Sequence, residues 1–210
     1  MKLGARVWVP CLDDSEAHDV RSRHESRVEP IGGVDLTNEG ATGRFFARVG
    51  ESGPLWASIH IAGGFAMSPI EKTSRDDLFG QLELNAVTCF LCCREAVKGI
   101  RGDGGGRIVN VAARPALRPE QGKGMVAYTM SKAAVAALTA ALAAESLDRG
   151  ILVNAVAPSI IDTPANRKAM PGADPGGWPT PAEIAGTIAF LASPENRLTS
   201  GQVIPVYGRG

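Results

Sequence analysis

Apolar positions along this chain fall into two alternating patterns. Short runs at 6–9, 27–34, 55–61, 107–111, 151–157 and 202–207 read as strands, the second weaker than the rest. Four of them are nearly continuous apolar stretches, as expected of parallel strands covered on both faces. Amphipathic stretches at about 39–51, 72–100, 126–148 and 181–192 read as helices. Thr180-Pro181-Ala182-Glu183 gives the last of these a capped start, and Asp148-Arg149-Gly150 gives the third a glycine stop. This alternation predicts an α/β fold: a doubly wound, mostly parallel sheet with helices on both faces, in one domain over residues 1–210. The Pro- and Gly-rich stretch 171–181 is long for a tight connection and reads as a functional loop or lid, or a surface insertion.

Composition narrows the classes. With 44% hydrophobic and 21% charged residues, and 22 basic groups balancing 22 acidic ones, nothing favours a nucleic acid or an anionic membrane as partner. No run approaches the roughly 18 apolar residues of a membrane span, so no membrane partner is expected and a cytoplasmic location is. Cys89, Cys92 and Cys93 lie in a helical stretch without a histidine nearby in sequence, Cys11 is remote, and His18, His24 and His60 are scattered. Buried reduced thiols and no metal site are expected.

Tyr128-Thr129-Met130-Ser131-Lys132 carries the strongest chemistry. Residues four apart share a helix face, so the ammonium can approach the phenol. Lowering a tyrosine pKa of roughly 10 by about 3 units needs on the order of 4 kcal/mol of phenolate stabilisation. A nearby lysine is the kind of group that supplies it, giving a general acid/base for carbonyl or imine chemistry. The bare spacing also occurs on many ordinary helices.

Around this pair lie the strand Gly106-Arg107-Ile108-Val109-Asn110-Val111, Asn85 within Leu84-Asn85-Ala86-Val87-Thr88, and Asn154-Ala155-Val156-Ala157-Pro158 running on to Asp162-Thr163-Pro164. Together these resemble the short-chain dehydrogenase/reductase family over nearly the whole chain. The resemblance implies hydride transfer with NAD(P)H, NAD or NADP being undetermined, and a homodimer or homotetramer paired through helices 72–100 and 126–148. It implies Tyr128 as proton donor or acceptor, Lys132 lowering its pKa and holding the nicotinamide ribose, and Asn85 anchoring a water that links Lys132 to solvent. Thr163 and the backbone near Ile161 would bind the carboxamide. Asp35-Leu36 would meet the adenine, and Ile61-Ala62-Gly63 would pass behind the cofactor. Residues 162–174 with Trp178, Ala62-Gly63-Gly64-Phe65 and Gly124-Met125-Val126-Ala127-Tyr128 are similar to the dihydropteridine reductase branch, so the substrate is a small carbonyl compound or a pterin-like one.

Two departures from the family stand out. Its usual serine after the strand ending at Val111 is replaced by Ala112 and Ala113, whose methyl groups cannot donate to an alkoxide. The glycine-rich turn that seats the pyrophosphate at a helix N-terminus has no counterpart either: Gly102 to Gly106 precedes a strand, and 4–9 matches the family's second strand. The usual first β-α unit, roughly 25–35 residues, is expected to be missing, leaving a gap in the sheet or a rearranged one. A start codon placed too late, a natural truncation or a degenerate relative would each produce this. A non-catalytic homologue that cannot hold the dinucleotide is therefore the alternative to an enzyme.

Overall fold

The computed structural model describes residues 4–24, 27–101 and 104–209. In chain order the elements are β1 (Val7–Pro10), α1 (Asp14–Arg23), β2 (Val28–Ile31), α2 (Glu39–Gly50), β3 (Ala57–His60), α3 (Arg75–Leu82), a π-helical turn (Glu83–Val87), α4 (Thr88–Gly99), β4 (Gly106–Val111), α5 (Arg114–Leu117), α6 (Val126–Ser146), β5 (Ile151–Pro158), α7 (Pro164–Ala169), α8 (Pro181–Ala192) and β6 (Val203–Val206). Every strand pairing is parallel, and the fold is the expected α/β one.

Among the described residues the strands form two sheets, β1-β2 and β3-β4-β5-β6, with no ladder joining β1 to β3. This is the gap anticipated above. Side chains bridge the two parts instead: Phe46 and Leu55 pack against both the main core and the small Val34, Phe45, Val49 cluster under β1 and β2. Arg94 on α4 adds an ion pair to Glu39 on α2 at 2.7 Å.

Strand side chains alternate faces, and the core divides accordingly. Ile108 of β4 and Val153, Ala155 and Ala157 of β5 pack with Cys89, Cys93, Ala96, Val135 and Ala143 of α4 and α6. Their neighbours Val109 and Val156 face the other way, onto Ile184, Ile188 and Leu191 of α8. Both faces being covered, all eight residues of β5 are buried. Gly150 turns into β5 with φ of 68°, as the glycine stop predicts, and Thr180 and Glu183 cap α8 reciprocally.

Among the described residues the sequence pattern missed three α-helices. The ten-residue α1 is almost wholly polar, so it lacks an apolar stripe, and its start is marked by Asp13 capping the Glu16 amide. The other two, α5 and α7, are short and open on or near a proline. The expected helix 72–100 is divided by the π-helical turn. The reading that no run approaches a membrane span also needs correction. Val126–Arg149 is long and apolar enough by length and composition, mostly through alanine, although it packs on β5, α3 and α5. The 171–181 stretch is tied down by backbone bonds from Asp162 to Pro179 and from Arg209 to Gly177, both 2.9 Å.

Candidate active site

The C-terminal ends of β3 and β4 and the first two turns of α6 converge on one point. Lys132 is 6% exposed and donates through Nζ to the Val111 carbonyl at 2.9 Å. Beside it, Gly63 leaves room that no other residue would: an added Cβ would lie 2.5 Å from Asn85 Oδ1 and 3.4 Å from Lys132 Nζ. Asn85 reaches this place from the π-helical turn, a distortion that re-aims a side chain. Its amide grips the loop at both ends of one residue: Gly64 N–H donates to Oδ1 at 3.1 Å, and Nδ2 donates to the Gly64 carbonyl at 3.0 Å. The next residue, Phe65, meets the Tyr128 ring edge-on with centroids 5.0 Å apart.

Tyr128, Lys132, Asn85 and Gly63 are thus brought together, with Ile61 and Ala62 exposed alongside. The other predicted residues sit elsewhere on the strand ends. Asp35 closes a turn by accepting from Thr37 N–H and Oγ1 at 2.9 and 2.7 Å, and the Leu36 carbonyl accepts from Thr42. Thr163 caps α7, and the Ile161 carbonyl accepts from Asn166 Nδ2 at 2.8 Å. Among the described residues no hydrogen bond or ring contact joins these four to the Lys132 group. Ala112 and Ala113, which stand where the resemblance expects a serine, are buried.

One electrostatic expectation changes, and a second shift comes with it. Burial pushes the Tyr128 phenol up to about 12, the reverse of the predicted acidification, because the ammonium is turned to Val111 and the phenol is walled by Phe65. Burial pulls Lys132 down to about 8, partly opposed by the nearby Cys89 sulfur. The Asn85 side chain holds the loop directly, through its two bonds to Gly64.

The histidines stay scattered from one another, but His60 does not stand apart from the cysteines as expected. His60 ends β3 and lies against Cys89 and Cys93 of α4 in a buried group. The Cys93 hydrogen bond draws the Cys89 pKa down, while Cys93 itself is raised. Cys89 and Cys93 were legible as one helix face; His60, 33 positions from Cys93, carried no signal in sequence. All four cysteines are free and buried, as expected. A cleft of about 320 Å³ lined by Ser68, Asp76, Asp77, Gln81, Met125 and Ala127 adjoins the site without including its catalytic candidates.

Comparison with known proteins settles the family. The family described as enoyl-(acyl carrier protein) reductase matches residues 1–208. A 3β-hydroxysteroid dehydrogenase of Mediterraneibacter gnavus is 32% identical over 83% of this chain and 73% of its own length. The chain belongs to the short-chain dehydrogenase/reductase family, and it is an oxidoreductase of that family. Galactitol 2-dehydrogenase of Rhizobium johnstonii is 30% identical over 92% of this chain and 79% of its own. The structure of a Serratia marcescens short-chain dehydrogenase/reductase superposes with a TM-score of 0.86 at 27% identity, covering 99% of this chain and 88% of that one. ElxO with NADP bound gives 0.90 at 24% identity over 99% and 89%, a likeness of fold.

The Lys132 shift predicts a pH dependence of stability. A folded pKa near 8 against an ordinary 10.5 means the unfolded state binds more protons between those values. The penalty on folding is therefore full below about pH 8 and is relieved as pH rises. From pH 8 to 10 the unfolding free energy of the wild type should gain roughly 2 kcal/mol on that of Lys132→Met, measured by urea denaturation. A difference that stays flat over that range contradicts the burial of a strained ammonium.

Proposed function

We propose that this chain transfers hydride between a nicotinamide dinucleotide and the carbon of a small secondary alcohol or ketone, with Tyr128 moving the hydroxyl proton. The observation that supports it best is the buried Lys132 ammonium set against Gly63, with Tyr128 one turn away at the ends of β3 and β4. The relatives named as 3β-hydroxysteroid, galactitol and cyclopentanol dehydrogenases favour an alcohol or ketone over the pterin reading.

The residues present fit the nicotinamide end of such a cofactor. Lys132 has three N–H donors and uses one on Val111, leaving two for a pair of ribose hydroxyls. Gly63 lets the cofactor approach the backbone closely. The phosphate end fits less well. The helix after β1 has Asp13 on its own Glu16 amide at 2.8 Å and Glu16 on the Leu12 amide at 2.7 Å, so carboxylates stand where an anion would sit. The helix after β2 opens on Asn38 and Glu39.

The dinucleotide, when bound, supplies or accepts the hydride. Tyr128, kept protonated by burial, gives its proton to the oxygen that gains negative charge during reduction. Lys132 orients the sugar. Asn85 fixes the loop on which the ring would rest. With Ala112 and Ala113 unable to donate, Tyr128 carries the oxygen's stabilisation without the family's serine.

We also propose that a second copy of the chain pairs with this one. Phe79, Phe90 and Met130 on α3, α4 and α6 are each 49% exposed, and only 28% of the apolar α6 window is buried.

Titration with NADH and NADPH, followed by fluorescence, should give submillimolar binding of one or both. Tyr128→Phe should keep that affinity while losing roughly 100-fold or more of turnover on whichever of cyclopentanol, galactitol or a 3β-hydroxysteroid is oxidised. No binding up to several millimolar would favour the non-catalytic homologue, and a Tyr128→Phe enzyme retaining its rate would remove Tyr128 from the mechanism. Sedimentation at micromolar concentration should show a species larger than the 21.9 kDa chain; a stable monomer contradicts pairing.

A further inference from the structure

The buried group behind Lys132 is not used by the oxidoreductase reading. His60, Cys89 and Cys93 place their ring nitrogen and two sulfurs within 4.8 Å of one another. They are 9, 5 and 1% exposed. Ser58 Oγ lies 2.8 Å from His60 Nε2, and Asn110 Oδ1 lies 2.8 Å from His60 Nδ1. Cys93 Sγ is 3.5 Å from both His60 Nδ1 and Asn110 Oδ1. Asn110 Nδ2 donates to Thr139 Oγ1, which donates to the Val135 carbonyl. That last pair fixes the orientation of the Asn110 amide: its nitrogen faces Thr139, so its oxygen faces the imidazole and the thiol.

We propose that His60, Cys89 and Cys93 form a binding site for one soft divalent cation of the zinc type, held by two thiolates and the His60 Nδ1. Two sulfurs and an imidazole are the donor set that such an ion selects, and a closed, buried pocket is the setting of a structural or regulatory site. Asn110 Oδ1 stands beside them as a neutral fourth donor. Metal-bound histidines hold their remote ring N–H on an outer acceptor, and Ser58 Oγ is already placed on His60 Nε2.

A disulfide is the competing use of this pair, and helix geometry disfavours it. Residues four apart on a helix have Cβ atoms about 5–6 Å apart, whereas a disulfide needs about 3.5–4.5 Å. A tetrahedral ion with bonds of about 2.3 Å to sulfur spans two sulfurs roughly 3.8 Å apart, which side-chain rotation alone can supply. The proton balance is simple. Binding one dication releases the thiol protons of Cys89 and Cys93 to solvent. The His60 proton leaves Nδ1, a proton occupies Nε2, and Ser58 Oγ turns from donor to acceptor. The filled site is electrically neutral, so burial carries no uncompensated charge. It would tie the end of β3 to α4 directly before Ile61, at the root of the loop that Asn85 grips.

Cadmium is the probe. Metal-free, reduced protein should take up one cadmium ion per chain, read by the sulfur-to-cadmium charge-transfer absorption in the ultraviolet, and zinc should displace it. Cys89→Ala and Cys93→Ala should each lose the saturable binding, while Cys92→Ala and Cys11→Ala keep it. Ser58→Ala should weaken it by about 10- to 100-fold. Should the cysteine variants fail to fold, cadmium NMR of the wild type decides alone, since its shift reports the number of sulfur ligands. Two sulfurs support the site. One or none, no uptake at excess cadmium, or full binding without Cys89 or Cys93 would overturn it.

Discussion

The Asn85 carboxamide makes two hydrogen bonds to one residue, Gly64, and the geometry of the site follows from that grip. A buried amide must satisfy both its donor and its acceptor, so the loop after β3 is held by its N–H and its carbonyl at once. Holding it there presses Gly63 into the space between Asn85 and Lys132, where a side chain would collide. Lys132, shut in on that side, turns to the Val111 carbonyl, and Phe65 is set on Tyr128. Asn85 makes this reach from a π-helical turn, where the wider winding shifts side-chain directions relative to the flanking α3 and α4.

The consequence is a phenol and an ammonium that are both tuned by burial. Water exclusion raises the phenol and lowers the ammonium, so the neutral forms of both are favoured. In the proposed reaction a protonated tyrosine suits reduction, in which a proton must be delivered. The division of the sheet bears on the other half of the function. With β1 and β3 unjoined, Phe46 and Leu55 carry the contact between the two parts through apolar packing, and the helix N-termini after β1 and β2 are already occupied by the chain's own acidic and amide groups.

Much of this was legible in the sequence where local chemistry and period agreed. The strands β4 and β5 were visible as apolar runs because both faces are covered, and the Thr180-Pro181-Ala182-Glu183 cap and the Gly150 stop fixed helix ends to within a residue or two. Polar α1 gave no periodic signal, and the π-helical turn is hidden because its residues continue a helical pattern. The gap in the sheet followed from counting elements. What failed were inferences from spacing to contact. Tyr128 and Lys132 are one turn apart on α6, and the ammonium takes the Val111 carbonyl of β4 as a partner that the spacing did not indicate. His60 and Cys93 are remote in sequence, yet neighbouring β3 and α4 bring them within 3.5 Å. Tertiary packing decides which partner a side chain takes, and a spacing rule does not contain it.

Amide hydrogen exchange at Gly64 tests the central claim most directly. If the Asn85 side chain holds the loop, the Gly64 amide is protected in the wild type and exchanges roughly 5- to 10-fold faster in Asn85→Ala, as loss of about 1 kcal/mol of hydrogen bonding requires. Equal exchange rates in the two proteins would show that the loop is placed by something else, and the account of the site would fail.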